Sequence, residues 1–178
     1  FEPGGLTGDR EFVRRVHLDV TGQLPGSKVA ESFVEDKDQQ KRAKLIDRLL
    51  ESEEHAAFWA QKWGDLLRVS RKKIGHGSVF KFNRWLVNAV ASNMPYDTFA
   101  REILTARGSS LVHPAANYYR AAGNTLDAME TSAQLFLGSR IQCAKCHNHP
   151  FERWTQDNYY GLAAFFNRVE RKKTGKGE

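Results

Sequence analysis

Apolar positions recur along this chain at helical spacing, and the strict alternation of a half-buried strand is nearly absent. Phe12, Val13, Val16 and Val20 fall on one stripe, and Asp9 stands where a capping residue is wanted, so a first helix is predicted over 9–20. Thr21-Gly22-Gln23-Leu24-Pro25-Gly26 ends it, and Ser27 starts a short helix to about residue 36. Over 39–51, Leu45, Ile46, Leu49 and Leu50 turn inward while Lys41, Arg42, Lys44 and Arg48 turn outward. The next helix, 53–70, presents Phe58, Trp59, Trp63, Leu66 and Leu67, with both tryptophans expected in the core.

Residues 71–78 are basic and contain glycine, which predicts a loop and the best internal break. Helical spacing returns over 79–93 with Phe82, Trp85, Leu86, Ala89 and Val90; Pro95 punctuates it before a helix over 96–107. Pro114 suits the first turn of a short helix to 122. Thr125 is the expected cap of a helix to 137, which Gly138 closes. Thr155 is the expected cap of the last helix, to about 169. The basic, glycine-containing tail 171–178 is expected to fray. No internal repeat is visible. The pattern predicts an all-α single domain over 1–170, with about eight to ten helices.

Composition agrees. The 178 residues are 40% hydrophobic and 27% charged, ordinary for a globular protein, and the length suits one domain at roughly 150 residues each. Collagen, low-complexity disorder and a disulfide-rich mini-protein are excluded. No stretch approaches the ~18 apolar residues of a membrane-spanning helix. The net charge of +6 permits an acidic partner without choosing one. The chain starts at Phe1 without a visible signal peptide, so a piece processed or excised from a longer multidomain protein is expected.

The chain's two cysteines lie together in Cys143-Ala144-Lys145-Cys146-His147, a Cys-x-x-Cys-His attachment signature of c-type haem. Residues i and i+3 share one helical face, so both thiols can bond the vinyl groups along one edge of a haem. His147, next in the chain, then meets the iron as proximal ligand. The accidental occurrence of such a run is on the order of one in a thousand. A thioredoxin-like pair would need a βαβ context, which is absent. Zinc held by Cys143, Cys146 and His149 would lack an obvious fourth ligand. A plain disulfide or two inert thiols complete the alternatives.

His149 cannot take the opposite face of the same iron. Two residues span at most about 7 Å, whereas backbones on opposite haem faces stand roughly 12 Å apart. The distal candidates lie upstream: Met129, Met94, His17, His55, His76 and His113, or an open face with water or a tyrosine. This order does not fit a mitochondrial-type cytochrome c, whose distal methionine comes late. Arg140, Arg153 and His149 are candidate propionate partners. Phe151, Trp154, Tyr159, Tyr160, Phe165 and Phe166 form an aromatic flank able to cover a haem. The basic clusters Arg68-Arg71-Lys72-Lys73 and Arg168-Arg171-Lys172-Lys173-Lys176 are suited to steering an acidic redox partner; no nucleic-acid module is present. No Ser-His-Asp order, phosphate-cradling loop or paired glycosidase carboxylates can be argued for.

The chain resembles the planctomycete-specific cytochrome c domains, in the larger helical type long described as a domain of unknown function. The resemblance is carried by Phe12-Val13-Arg14-Arg15-Val16-His17-Leu18-Asp19-Val20-Thr21-Gly22, by Lys41-Arg42-Ala43-Lys44-Leu45-Ile46-Asp47-Arg48-Leu49-Leu50 and by Trp63-Gly64-Asp65-Leu66-Leu67-Arg68. It continues through Asn93-Met94-Pro95-Tyr96-Asp97-Thr98-Phe99 and Pro114-Ala115-Ala116-Asn117-Tyr118-Tyr119-Arg120. It is densest from Leu135 through the cysteines to Asn148-His149-Pro150-Phe151, Trp154-Thr155-Gln156 and Tyr159-Tyr160. Leu24-Pro25-Gly26 departs from the family's usual two prolines, which affects a turn and not the chemistry. The resemblance implies haem attachment outside the cytoplasm and residence within longer multidomain proteins.

The expectation is therefore a monohaem c-type cytochrome domain that passes single electrons to a redox protein or a neighbouring domain, in a periplasmic or other extracytoplasmic compartment. A haem enzyme or gas-ligand domain with an open distal face, and a zinc-stabilised interaction domain, are the alternatives.

Overall fold

The computed structural model describes residues 4–172. Among these are ten α-helices and two 3-10 turns, and no strand. The helices are α1 (Asp9–Thr21), α2 (Ser27–Glu35), α3 (Lys41–Leu50), α4 (Glu53–Leu66), α5 (Arg71–Ile74), α6 (His76–Ala91), α7 (Tyr96–Leu104), α8 (Asn117–Ala122), α9 (Thr125–Phe136) and α10 (Gln156–Phe166). The 3-10 turns are Pro114–Ala116 and Gln142–Lys145. The all-helical expectation holds. Most of the predicted tail, including Lys173 and Lys176, lies outside the described residues. The chain divides into two compact units, Phe1–Lys62 with Val87–Asn93, and Trp63–Leu86 with Met94–Glu178.

In the first unit, Val13, Phe33, Leu45 and Leu49 form the core, with Phe12, Val16, Val20 and Ala30 packed against it. Asp9 is not the cap that its position suggested. Gly8 occupies the cap without a side-chain bond, and Asp9 is the first helical residue. Its carboxylate is claimed by α3 instead: Lys41 Nζ stands 2.7 Å away and Arg42 donates from Nη2 at 2.7 Å. The hydrogen bonds from Lys41 and Arg42 hold the Asp9 carboxyl below its ordinary range. An acidic group in a first helical turn still complements the helix dipole, so the same residue fastens α1 to α3. Gly22 closes α1 at φ 70°, its N–H on the Leu18 carbonyl. His17 and His55 each donate from Nδ1 to a backbone carbonyl, Val13 at 2.8 Å and Val20 at 3.0 Å.

Trp59 departs from its expected core position. It is 37% exposed, and the buried face of α4 is Ala56 and Ala60. Small side chains let the helix backbone approach its neighbours closely, which leaves the bulky indole at the margin beside Phe58 and Lys62.

In the second unit the predicted loop 71–78 is helical: α5 covers its first half, and α6 starts at His76. Ile74 is fully buried, and Lys73 Nζ donates to the Ala121 carbonyl at 2.8 Å. These anchors come from a distant part of the chain, so a reading of local glycine and charge misses them. Trp63, Trp85 and Phe99 form an aromatic cluster, with ring centroids 4.8 Å apart for Trp63–Phe99 and 5.3 Å for Trp85–Phe99. Tyr118 is buried between α8 and α9, its hydroxyl 2.8 Å from the Ala128 carbonyl oxygen and 2.7 Å from Ser132 Oγ. The cap of α9 is Asn124, one residue before the predicted Thr125; Asn124 Oδ1 accepts the Asp127 N–H at 2.9 Å. Asn outranks Thr at this position, and either sits plausibly at the boundary.

Candidate functional site

The second unit's core joins α9, α10 and the turn Gln142–Lys145. Met129, Ala133, Ile141, Ala144, Tyr159 and Ala163 are buried together, with Leu126, Trp154, Leu162 and Phe166 packed around them. After α9, Gly138 turns the chain at φ 65°. The backbone then tightens into a 3-10 turn, with the Ala144 N–H on the Ile141 carbonyl at 3.0 Å. In such a turn residues i and i+3 eclipse. Ile141 and Ala144, three apart, point into the core at 1% and 0% exposure. Cys143 and Cys146, also three apart, are both exposed free thiols. The segment forms a tighter turn than the α-helix the i, i+3 argument assumed, with Cys146 as the residue that ends it.

His147 follows in an exposed position, with Nδ1 2.7 Å from the Asn148 carbonyl oxygen. A carbonyl can only accept, so Nδ1 carries the proton and Nε2 presents its lone pair outward. This is the tautomer that a metal-ligating imidazole uses, with the backbone carbonyl as the group that orients it.

The first turn of α10 holds this loop. Thr155 and Asn158 form a reciprocal capping box: the Asn158 N–H reaches Thr155 Oγ1 at 3.2 Å and the Thr155 N–H reaches Asn158 Oδ1 at 3.1 Å. Gln156 donates its backbone N–H to Asn148 Oδ1 at 3.3 Å and its side-chain amide to the Lys145 carbonyl at 3.0 Å. Tyr160 donates to the same carbonyl at 3.3 Å. Asn148 and Gln156 were not singled out from the sequence, because no spacing rule marks a loop amide that braces a neighbouring turn.

His149 is a loop staple. Its Nδ1 accepts the N–H groups of Phe151 and Glu152 at 3.3 and 3.0 Å, and its own N–H donates to the Trp154 carbonyl at 2.8 Å. The Arg153 guanidinium lies 5.9 Å from the Trp154 ring. Among the described residues, Trp154 Nε1, Gln142 Oε1 and Thr131 Oγ1 are buried without a hydrogen-bond partner. Tyr159 is buried, and its hydroxyl donates to Glu130 Oε1 at 2.6 Å. Burial pushes its phenol well above the usual range, and the Glu130 carboxylate adds to the rise. Of the aromatic flank, Phe151 is 92%, Phe165 75% and Tyr160 50% exposed, whereas Tyr159 is buried in the core and Trp154 and Phe166 pack against it.

Arg140 is exposed. Met129 is fully enclosed in the core, and Met94 is half-buried just before the residue that caps α7. His76 and His113 are exposed. Among the described residues no group of three or more His, Cys, Asp or Glu side chains is placed to hold a metal ion, so Cys143, Cys146 and His149 do not converge as a zinc site would require. One residue of each basic cluster reaches α8 or its end: Lys73 donates to the Ala121 carbonyl, and Arg171 to the carbonyls of Tyr119 and Gly123.

Over residues 1–171 the chain matches the PSCyt2 family, described as a protein of unknown function (DUF1549). It belongs to the PSCyt2 family. No curated protein and no solved structure matches it. The family name is that of a cytochrome-like domain, in keeping with the sequence resemblance. No helix among the described residues of this PSCyt2 domain is long and apolar enough to cross a membrane.

Proposed function

We propose that this PSCyt2 domain is a monohaem c-type cytochrome domain that passes single electrons. The observation that carries the reading is the His147 ring, oriented by the Asn148 carbonyl through Nδ1, directly after two exposed thiols at a tight turn. The residues present fit a haem. The thiols are accessible while the residues between and before them anchor the turn in the core. Exposed Phe151, Tyr160 and Phe165 offer apolar cover near the motif in sequence, which a large flat macrocycle needs.

In this reading Cys143 and Cys146 hold the ring through thioethers, and His147 Nε2 is the proximal iron ligand. The haem iron supplies the ferric–ferrous couple. The Asn148 backbone carbonyl keeps the His147 ring oriented, and Gln156 fixes Asn148 itself through its side-chain Oδ1. Bacterial attachment of this kind takes place outside the cytoplasmic membrane, so the domain's place is periplasmic or otherwise extracytoplasmic. Its partner is a redox protein or a neighbouring domain of the same chain, and the basic residues that reach α8 suit an acidic one.

A second reading, a haem with an open distal face that binds gas ligands or substrate, is favoured by the enclosure of Met129 in the core. Rapid, tight carbon monoxide binding to the ferrous form selects it over simple electron transfer.

The test is the intact mass of the denatured full chain, produced with and without a cytochrome c maturation system. The expected result is a gain of one haem with the system, abolished by Cys143→Ala with Cys146→Ala. Colourless protein without a Soret band from a competent host would overturn the proposal.

A further inference from the structure

We infer that the loop 149–154 is the clamp for the cofactor's carboxylates, with the Trp154 indole N–H and the His149 Nε2–H as its donors. The inference rests on the haem reading above. Trp154 Nε1 is enclosed, and no acceptor among the described residues reaches it. An indole nitrogen is a donor only, and a buried donor without an acceptor is rare in folded proteins unless a water or ligand completes it. His149 adds the second donor by a separate route. Two backbone N–H groups point at its Nδ1, so that nitrogen must be the acceptor and the proton sits on Nε2.

The two rings are parts of one closed loop, because the His149 N–H bonds the Trp154 carbonyl at 2.8 Å. Arg153, its guanidinium 5.9 Å from the Trp154 ring centroid, brings a cation to the same segment. A set of N–H donors with a guanidinium selects an anionic acceptor, and a carboxylate accepts charge-assisted bonds from all of them. The loop starts two residues after His147, which puts it close along the chain to the ligand that anchors the iron. The haem propionates are the carboxylates that this cofactor would bring. The rival occupant is a buried water on the Trp154 N–H.

The experiment uses the haem-loaded full chain. In the diamagnetic ferrous carbon monoxide form, nuclear Overhauser contacts are sought from the Trp154 indole proton to the propionate methylene protons. In parallel, resonance Raman spectra of the unaltered protein and Trp154→Phe are compared at the propionate bending band. The expected results are a direct indole–methylene contact and a downshift of the band in Trp154→Phe. If Trp154→Phe does not fold, the contact in the unaltered protein decides. An indole proton that contacts only a bound water, or no methylene contact in protein whose mass shows covalent haem, overturns the clamp and leaves the haem reading standing. Protein that gains no haem overturns both.

Discussion

Substitution of Met129 separates packing from iron ligation. The side chain is fully buried, in a cluster with Ala133, Ile141, Ala144, Tyr159 and Ala163. Truncation to alanine in a core costs about 2–5 kcal/mol, the larger values arising where the surroundings cannot collapse into the hole. Three neighbours here are alanines, whose side chains have no rotamer to swing. Tyr159 is held in place by its bond to Glu130. Met129→Ala is therefore expected in the upper half of that range, about 3–5 kcal/mol. Met129→Leu keeps the volume and is expected to cost less than about 1.5 kcal/mol. Urea unfolding of the haem-free full chain, followed by circular dichroism, measures both. The absorption spectrum of haem-loaded Met129→Leu should match that of the unaltered protein. A cost below about 1 kcal/mol for Met129→Ala, within the range of surface substitutions, would refute the packing argument. A ferric absorption spectrum in Met129→Leu that differs from that of the unaltered protein would show that the sulfur meets the iron.

Thr155→Ala removes half of the capping box on α10 and is expected to cost about 1 kcal/mol in urea unfolding. It should also speed amide exchange at Gln156, whose N–H braces Asn148. Burial pushes the Tyr118 phenol from its ordinary 10.0 up to about 12. The folded chain thus keeps a proton that the unfolded chain releases, and stability falls as pH climbs through that window. Urea midpoints measured across it should drop, and Tyr118→Phe should flatten the drop; an equally steep decline in the variant would exclude Tyr118 as the cause. Gly22→Ala places a Cβ 2.4 Å from the Phe58 ring at φ +70°, and it should lower the thermal midpoint by an amount corresponding to more than about 1 kcal/mol. An unchanged midpoint would mean that the α1–α2 turn rearranges freely.

The basic clusters show how far linear reading reaches. Arg71–Lys73 and Arg168–Lys172 are each visible as charge in the sequence. That one residue of each reaches α8 or its end is visible only in the fold, because Ala121 and Gly123 lie 48 residues from the lysine and arginine that reach them.

By itself the sequence determined most of the helices, the Cys-x-x-Cys-His run and the cap at Thr155. These depend on spacings within one or two turns, where side-chain direction follows directly from the backbone period. It also carried the family resemblance, since the motif and its flanking segments are contiguous runs. Tertiary structure decided what no local spacing encodes. Asp9 became a tie to α3 because two cations from that helix reach its carboxylate. Residues 71–74 became helical because Ile74 found a buried seat. Trp59 stayed at the surface because alanines line the inner face of α4. The proton positions on His147 and His149 follow from which backbone groups stand opposite each ring nitrogen, and that depends on how the loop folds back against α10. Periodicity reports which face of an element is apolar; only the packed chain specifies what that face, or a polar atom beside it, meets.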